Sequence, residues 1–286
     1  REETTVTFTN CEQEGQYGPS QEQCDSVYVG TEIEGSVEII DGIQYWTVPA
    51  NGTYTIQAFG AEGGADPGSS SGGNGAKMQG EFELSYGDQL KILVGQRGGL
   101  FNLSSNGGGG GTFVTYADNT PLIIAGGGGG EHDPLVGESG TIDDCGTTSN
   151  NGPGGCNGNG GETYGSYGAA GGGFYTSGED GASGGHGYGG LAFIDGGIGG
   201  NGGSNANAYG GFGGGGGTHG SSGGGGGAGG WSGGGGTDHQ PGCGGGSYNA
   251  GENQDNIAGI REGHGMVIIT YESVDWLSMS ETSGSV

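Results

Sequence analysis

Apolar and polar residues alternate in short runs towards both ends of the chain and almost nowhere in its middle. TTVTFTN (4–10) alternates and is rich in β-branched residues, the pattern of a half-buried strand. GSVEII (35–40) and IQYWTV (43–48) flank Asp41-Gly42, a strong short signal for a hairpin. The turn Pro49-Ala50-Asn51-Gly52 leads into TYTIQAFG (53–60). EFELSY (81–86) and QLKILVG (89–95) are expected to pair around Gly87-Asp88, and TFVTYA (112–117) with PLIIAG (121–126) across Asp118-Asn119-Thr120. GMVIITYESV (265–274) completes the set. These short strands and tight turns predict an all-β protein, an antiparallel β-sandwich or jelly roll. No stretch carries a 3.6-residue apolar period, so helix is expected to be nearly absent.

The middle of the chain changes this picture. Of 286 residues, 83 are Gly and 7 are Pro, a level that ordinarily signals disorder. There is no Gly-X-Y repeat, which excludes collagen. Five runs of four or more glycines occur, at 107–111, 126–130, 213–217, 223–227 and 233–236. Strands precede and follow them, so the glycine-rich part is an insertion whose ends must return to one place. The expected form is a bundle of polyglycine II helices, extended left-handed helices with three residues per turn. Ordering a residue costs about 1–2 kcal/mol and a net hydrogen bond returns roughly 0.5–1.5. One such helix melts, whereas a bundle anchored at both ends persists. Phe174, Tyr209, Phe212 and Trp231 are expected to plug its edges, with turns at residues 218–222 and at Trp231-Ser232. Residues 1–272 read as a single domain, with insertions mainly at 60–80, 99–111 and 126–252, and 273–286 as a tail.

Charge narrows the partners. The net charge is −27, with 32 acidic against 5 basic side chains. That disfavours nucleic acid and anionic membrane, and suits cations or basic proteins. No apolar run is long enough to span a bilayer as a helix. The start at Arg1 suggests a mature fragment whose leader was removed. Cys11 with Cys24, and Cys145 with Cys156, each flank one polar loop and suit local disulfides. Cys243 is left over, as a free thiol or an intermolecular bond. Asn51-Gly-Thr and Asn102-Leu-Ser are glycosylation sequons. Together these features point to a secreted location.

Little here suggests catalysis. The histidines, 132, 186, 219, 239 and 264, lack metal-ligand spacing and read as residues of a loop rim. EHDPLVGESGTIDDC (131–145) offers Glu131, Asp133, Asp143 and Asp144 as a calcium candidate, against the alternative of a solvated acidic loop. No Gly-x-Ser-x-Gly elbow or Gly-Lys-Ser/Thr phosphate loop occurs, and no other cofactor is expected.

The segments IQYWTVPANGTYTIQAFGAEGG (43–64), KILVGQRGG (91–99), GGGGGTFV with PLIIAGGGGG (107–130), YGGFGGGGG with SSGGGGGAGGW (209–231) and EGHGMVIITY (262–271) resemble the glycine-rich extracellular domain of the anaplastic lymphoma kinase and leukocyte tyrosine kinase receptors. TFTNCEQEGQYGPSQEQC resembles the opening of microbial glycine-rich surface proteins. The resemblance implies a β-sandwich of tumour-necrosis-factor-like topology with an inserted polyglycine II bundle. It does not extend to a kinase. Two functions are expected. One is a non-enzymatic structural or adhesive subunit of an extracellular filament, a homo-oligomer assembled through the tail residues Trp276, Leu277 and Met279. The other is a ligand-binding ectodomain or lectin-like adhesin for a basic protein or a glycan.

Overall fold

A computed structural model describes residues 2–66, 71–99, 104–182, 186–204, 206–220 and 223–273. Two antiparallel sheets pack face to face. Sheet A contains β1 (Glu2–Phe8), β11 (Met266–Ser273), β4 (Gly52–Phe59), β5 (Gly75–Leu84) and β10 (Ile257–Arg261), in that order. Sheet B contains β2 (Val37–Ile40), β3 (Ile43–Thr47), β6 (Gln89–Leu93), β7 (Thr112–Tyr116), β8 (Pro121–Ala125) and β9 (Tyr248–Asn249). Asp41 and Gly42 both take positive φ, 50° and 80°, and close the expected β2–β3 hairpin. The alternating residues of sheet A place Phe8, Ile56, Val267 and Ile269 in the core, opposite Trp46, Leu90, Ile92 and Val114 of sheet B.

The expected hairpin around Gly87-Asp88 does not form. β5 is already paired along eight positions with β4, from Gly52↔Leu84 to Phe59↔Lys77, and β10 lies on its other side. No edge of β5 remains for β6, which joins β3 and β7 instead. Gly87-Asp88 therefore carries the chain from one sheet to the other. It is fastened to the neighbouring crossing at Val48, whose N–H donates to Asp88 O (2.8 Å) and whose carbonyl accepts from Gly87 N (3.0 Å).

The strand pattern missed the two-residue β9 and the first six residues of β5, and two further elements escaped it. β10 has little apolar alternation, and Ile257 and Ile260 are exposed. A seven-residue helix, α1 (Gln21–Val27), lies in the loop between Cys11 and β2. Ser20 and Gln23 form a capping box, with Gln23 N donating to Ser20 Oγ (3.3 Å) and Ser20 N to Gln23 Oε1 (2.8 Å). The Cys11–Cys24 disulfide ties the helix to the sandwich, and both cysteines are buried.

The glycine-rich segments are ordered by backbone hydrogen bonds whose direction repeats every third residue. Gly225 and Ala228 donate to the carbonyls of Gln240 and Cys243, Gly226 and Gly229 to Asn106 and Gly109, and Gly227 and Gly230 to Ala169 and Gly172. These six bonds span 2.9–3.3 Å. Gly127 and Gly130 donate likewise to Gly229 and Gly226, and Gly128 and Glu131 to Ala61 and Gly64. A helix of three residues per turn aims successive N–H groups at three different neighbours and returns to the first. Close approach explains the glycine. A Cβ on Gly110 would lie 1.7 Å from Phe212 O, and one on Gly233 would lie 1.8 Å from Gly171 O.

The bundle meets the sandwich on the outer face of sheet B. Phe174, Phe193, Phe212 and Trp231 pack there on Ile43, Leu93, Phe113 and Ile124. Phe193 stacks on Phe113 (4.8 Å between ring centroids) and Phe174 (5.0 Å), and Trp231 on Tyr248 (4.6 Å). The aromatics expected at the bundle's edges therefore form its joint with the sheet. Glycine helices have no side chains to interlock, so bulky rings must fill that gap. Tyr209 stands apart, half-buried beside Arg97. The turn at 212–214 was not anticipated; Gly213 and Gly214 have φ of 101° and 82°. β8 and β9 pair across the ends of the insertion, at Ile123↔Asn249 and Ile124↔Tyr248.

Cys145–Cys156 closes a bundle loop. Cys243 is a free thiol, fully buried. Burial, with help from the Glu138 charge, pushes its pKa up to about 12. An intermolecular bond at Cys243 is therefore blocked, because no partner reaches the sulfur.

Gly110→Ala should cost about 3 kcal/mol in urea unfolding, through a backbone clash with no room to relax. Gly30→Ala, with open space around it but φ of 75°, should cost about 1 kcal/mol. Equal costs would contradict close packing as the reason for glycine. Iodoacetamide at pH 8 should leave Cys243 unlabelled in the native protein and add one label after denaturation, read by intact mass.

Candidate functional site

The outer face of sheet A is polar by register. Thr5 lies opposite Thr270, Thr270 opposite Thr55, and Thr55 opposite Glu81, giving one row across four strands. Thr5 and Thr270 share a hydroxyl hydrogen bond (3.1 Å). Glu3 faces Glu272 across β1 and β11, a like-charge pair that sheet pairing alone disfavours. Thr53 Oγ1 donates to Glu83 Oε1, and Asn253 Nδ2 to Glu81 Oε2 (2.6 Å). A groove of about 450 Å³ runs over this face, and among its described lining residues there is no Lys or Arg. Glu3, Glu81 and Glu272 contribute carboxylates, and Thr53, Thr55 and Thr270 contribute hydroxyls. Beneath it, Tyr54 and Tyr271 stack at 4.8 Å. Burial raises the Tyr54 phenol to about 12, while its O–H donates to Ala50 O (2.8 Å). The phenol is thus a neutral donor across the physiological range.

Asn51 stands at the rim of this groove, exposed, with its Oδ1 accepting from Tyr86 N (2.7 Å). Its sequon is therefore accessible. Asn102, and the tail residues Trp276, Leu277 and Met279, lie outside the described residues.

A second cavity, about 300 Å³, is lined by Glu14, Arg97, Gly98, Tyr209, Gly263 and His264. Its charges are paired internally. Arg97 bonds Glu62 Oε1 at 2.9 Å, and Glu62 Oε2 accepts from Gly263 N (2.8 Å). His264 Nδ1 accepts from Arg97 N (3.2 Å), and its Nε2 lies 3.5 Å from Glu14. Burial first, then the Arg97 and Arg261 charges, lower the His264 pKa against the pull of Glu14. This cluster ties the Cys11–Cys24 loop to the β10–β11 turn.

The calcium candidates are dispersed. Glu131 is fully buried, accepting from Asp66 N (2.5 Å) and Asn106 Nδ2 (3.3 Å). Asp143 accepts from Thr141 Oγ1 (3.3 Å), and Asp144 accepts from Asn157 N (2.8 Å) and from the Trp231 indole. The Asp133 side chain is exposed. Among the described residues, no three His, Cys, Asp or Glu side chains are arranged to hold a metal. Four of the histidines read as separate loop residues instead come together: His186, His219 and His239 around Tyr167, and His132 against His239. No local spacing announces this, since the residues arrive from different excursions of the chain.

No family model matches the chain. Over 95 residues, 32% of its length, it is 38% identical to the leukocyte tyrosine kinase receptor of Mus musculus. The match covers 11% of that receptor, so the likeness is to a small part of a much longer protein. The chain thus has a distant relationship to a receptor tyrosine kinase, confined to a segment of each.

Proposed function

We propose that this chain is a non-enzymatic, secreted or cell-surface binding domain that recognises a basic segment of another protein on the outer face of sheet A. The observation that carries this reading is the polar groove lined by Glu3 and Glu81 beside a row of threonines, with no Lys or Arg among its described lining residues, on a protein of net charge −27. A field of one sign over a polar cleft raises the encounter rate with an opposite charge and sets partner choice. Two disulfides suit an oxidising, extracellular setting, and the distant relationship to a receptor agrees with it. A glycan at Asn51 would stand over one end of the groove and limit access.

Self-assembly into a filament is the second reading. Among the described residues β1 pairs with β11 alone, which leaves its other edge as the place for a donated strand, for which the tail after Ser273 of a neighbouring copy is the candidate. The high like charge of every copy opposes close association, which is why binding of a basic partner ranks first.

A fluorescent lysine-rich peptide should bind the monomer in anisotropy titrations, and affinity should fall steeply with added salt. Neutralising Glu3, Glu81 and Glu272 together to Gln should weaken binding about tenfold, at under 1 kcal/mol for each exposed charge. Neutralising Glu12, Glu22 and Asp25, away from the groove, should have a much smaller effect. Equal losses in the two triple variants would reduce the interaction to net charge and reject the groove. Sedimentation velocity separates the readings: growing species that vanish on deletion of 274–286 would support the filament instead.

A further inference from the structure

Three of the five histidines surround Tyr167, and a fourth, His132, packs against one of them, His239. Tyr167 lies 4.2 Å from His186, 5.9 Å from His219 and 5.8 Å from His239, measured between ring centroids. His186 and His219 are 6.0 Å apart, and His132 and His239 are 6.1 Å apart. The five rings come from five different glycine segments. His132 follows Gly126–Gly130, Tyr167 precedes Gly168, His186 precedes Gly187, His219 follows Gly213–Gly217, and His239 follows Gly233–Gly236. The cluster therefore clips together the ends of helices that have almost no side chains of their own. Backbone bonds cross at the same place: Gly187 N donates to Tyr167 O (3.1 Å) and Gly168 N to Thr237 O (3.0 Å).

Two polar atoms there lack partners. His186 Nδ1 and Asp238 Oδ1 are buried without a hydrogen bond, although Asp238 Oδ1 is 3.6 Å from His239 Nε2. His132 Nδ1 is 2.9 Å from Ser105 Oγ, which in turn donates to Gly223 O (2.5 Å). The carboxylates acting on His132 are Asp133 and Asp238, and His239 opposes them. Tyr167 is the remaining titratable group among the rings. Neutral imidazoles pack ring against ring, whereas four imidazolium ions at these spacings repel, with two carboxylates to offset them.

We infer that this cluster is an acid-sensitive clasp: neutral imidazoles hold the glycine helices together at this end of the bundle, and their protonation loosens it while the sandwich stays folded. The direction of the His132 shift agrees. Burial lowers its pKa, so the loosened chain takes up the proton more readily. The contribution of His132 to the clasp is then complete above the ordinary imidazole pKa of about 6.5 and is lost as pH falls below it.

Hydrogen exchange on the intact chain tests this. After correction for intrinsic rates, protection of Gly168–Gly172 and Gly223–Gly227 should fall about tenfold between pH 7.5 and 5.0. Protection of β4 and β11 should hold. Replacing His186, His219 and His239 with Gln should flatten that response. If this variant does not fold, imidazole carbon-13 shifts of the unaltered protein serve instead, and the loss of protection should track titration of the cluster histidines and not of His264. Unchanged protection at pH 5.0, loosening that tracks His264, or equal loosening in the variant would each overturn the clasp.

Discussion

A hydrogen bond between two glycine backbones, made where any Cβ would collide, is the interaction on which this architecture rests. Side chains cannot hold the bundle together, because most of its residues have none. The N–H groups of each helix turn to three neighbours in succession, so each helix is held from several sides at once. Each residue recovers less from its bond than it loses in chain freedom, and neighbouring helices must therefore form together or not at all.

That dependence explains why the sandwich takes the form it does. Sheet B is covered on both faces, by sheet A on one side and by the bundle's aromatic rings on the other. Its inner strands accordingly carry short continuous apolar runs, ILV (92–94), FV (113–114) and LIIA (122–125), as strands buried on both faces do. Sheet A is covered on one face only, and its strands alternate. The outward positions of that alternation supply the threonines and glutamates of the proposed binding groove. A single distinction, which sheet the bundle lies against, places both the second core and the polar face.

Much of this was legible before any coordinates, and the misses have local reasons. The period-two runs located β1 to β4, β6 to β8 and β11 but only the last four residues of β5, and Asp41-Gly42 located its hairpin. Gly87-Asp88 misled because a short turn is compatible with pairing within a sheet or crossing between sheets, and only the occupied edges of β5 decide. α1 is too short to show a helical period, though Ser20 and Gln23 carried its cap signal. β10 has an exposed, nearly patternless sequence. The groove depends on register between strands, and the histidine cluster on five loops meeting in space, so neither leaves a mark in any window of sequence. The paired cysteines were readable from their spacing, whereas the burial of Cys243 was not.

The place of β11, second from the edge of sheet A, has a consequence for how the chain acquires its structure. It is the penultimate partner in sheet A, lying between β1 and β4, yet it is among the last residues of the described chain. The glycine helices likewise bond to segments far away along the chain, Gly226 to Asn106 and Gly127 to Gly229. Local contacts that might form early are therefore scarce, and a topology of this kind folds slowly. As the chain emerges from the ribosome, β1 has to wait without its neighbour until the whole glycine-rich stretch between β8 and β11 has been made. During that interval the long polar, glycine-rich stretch offers little for other chains to adhere to, and so serves the nascent protein as a solubilising spacer before it becomes a scaffold.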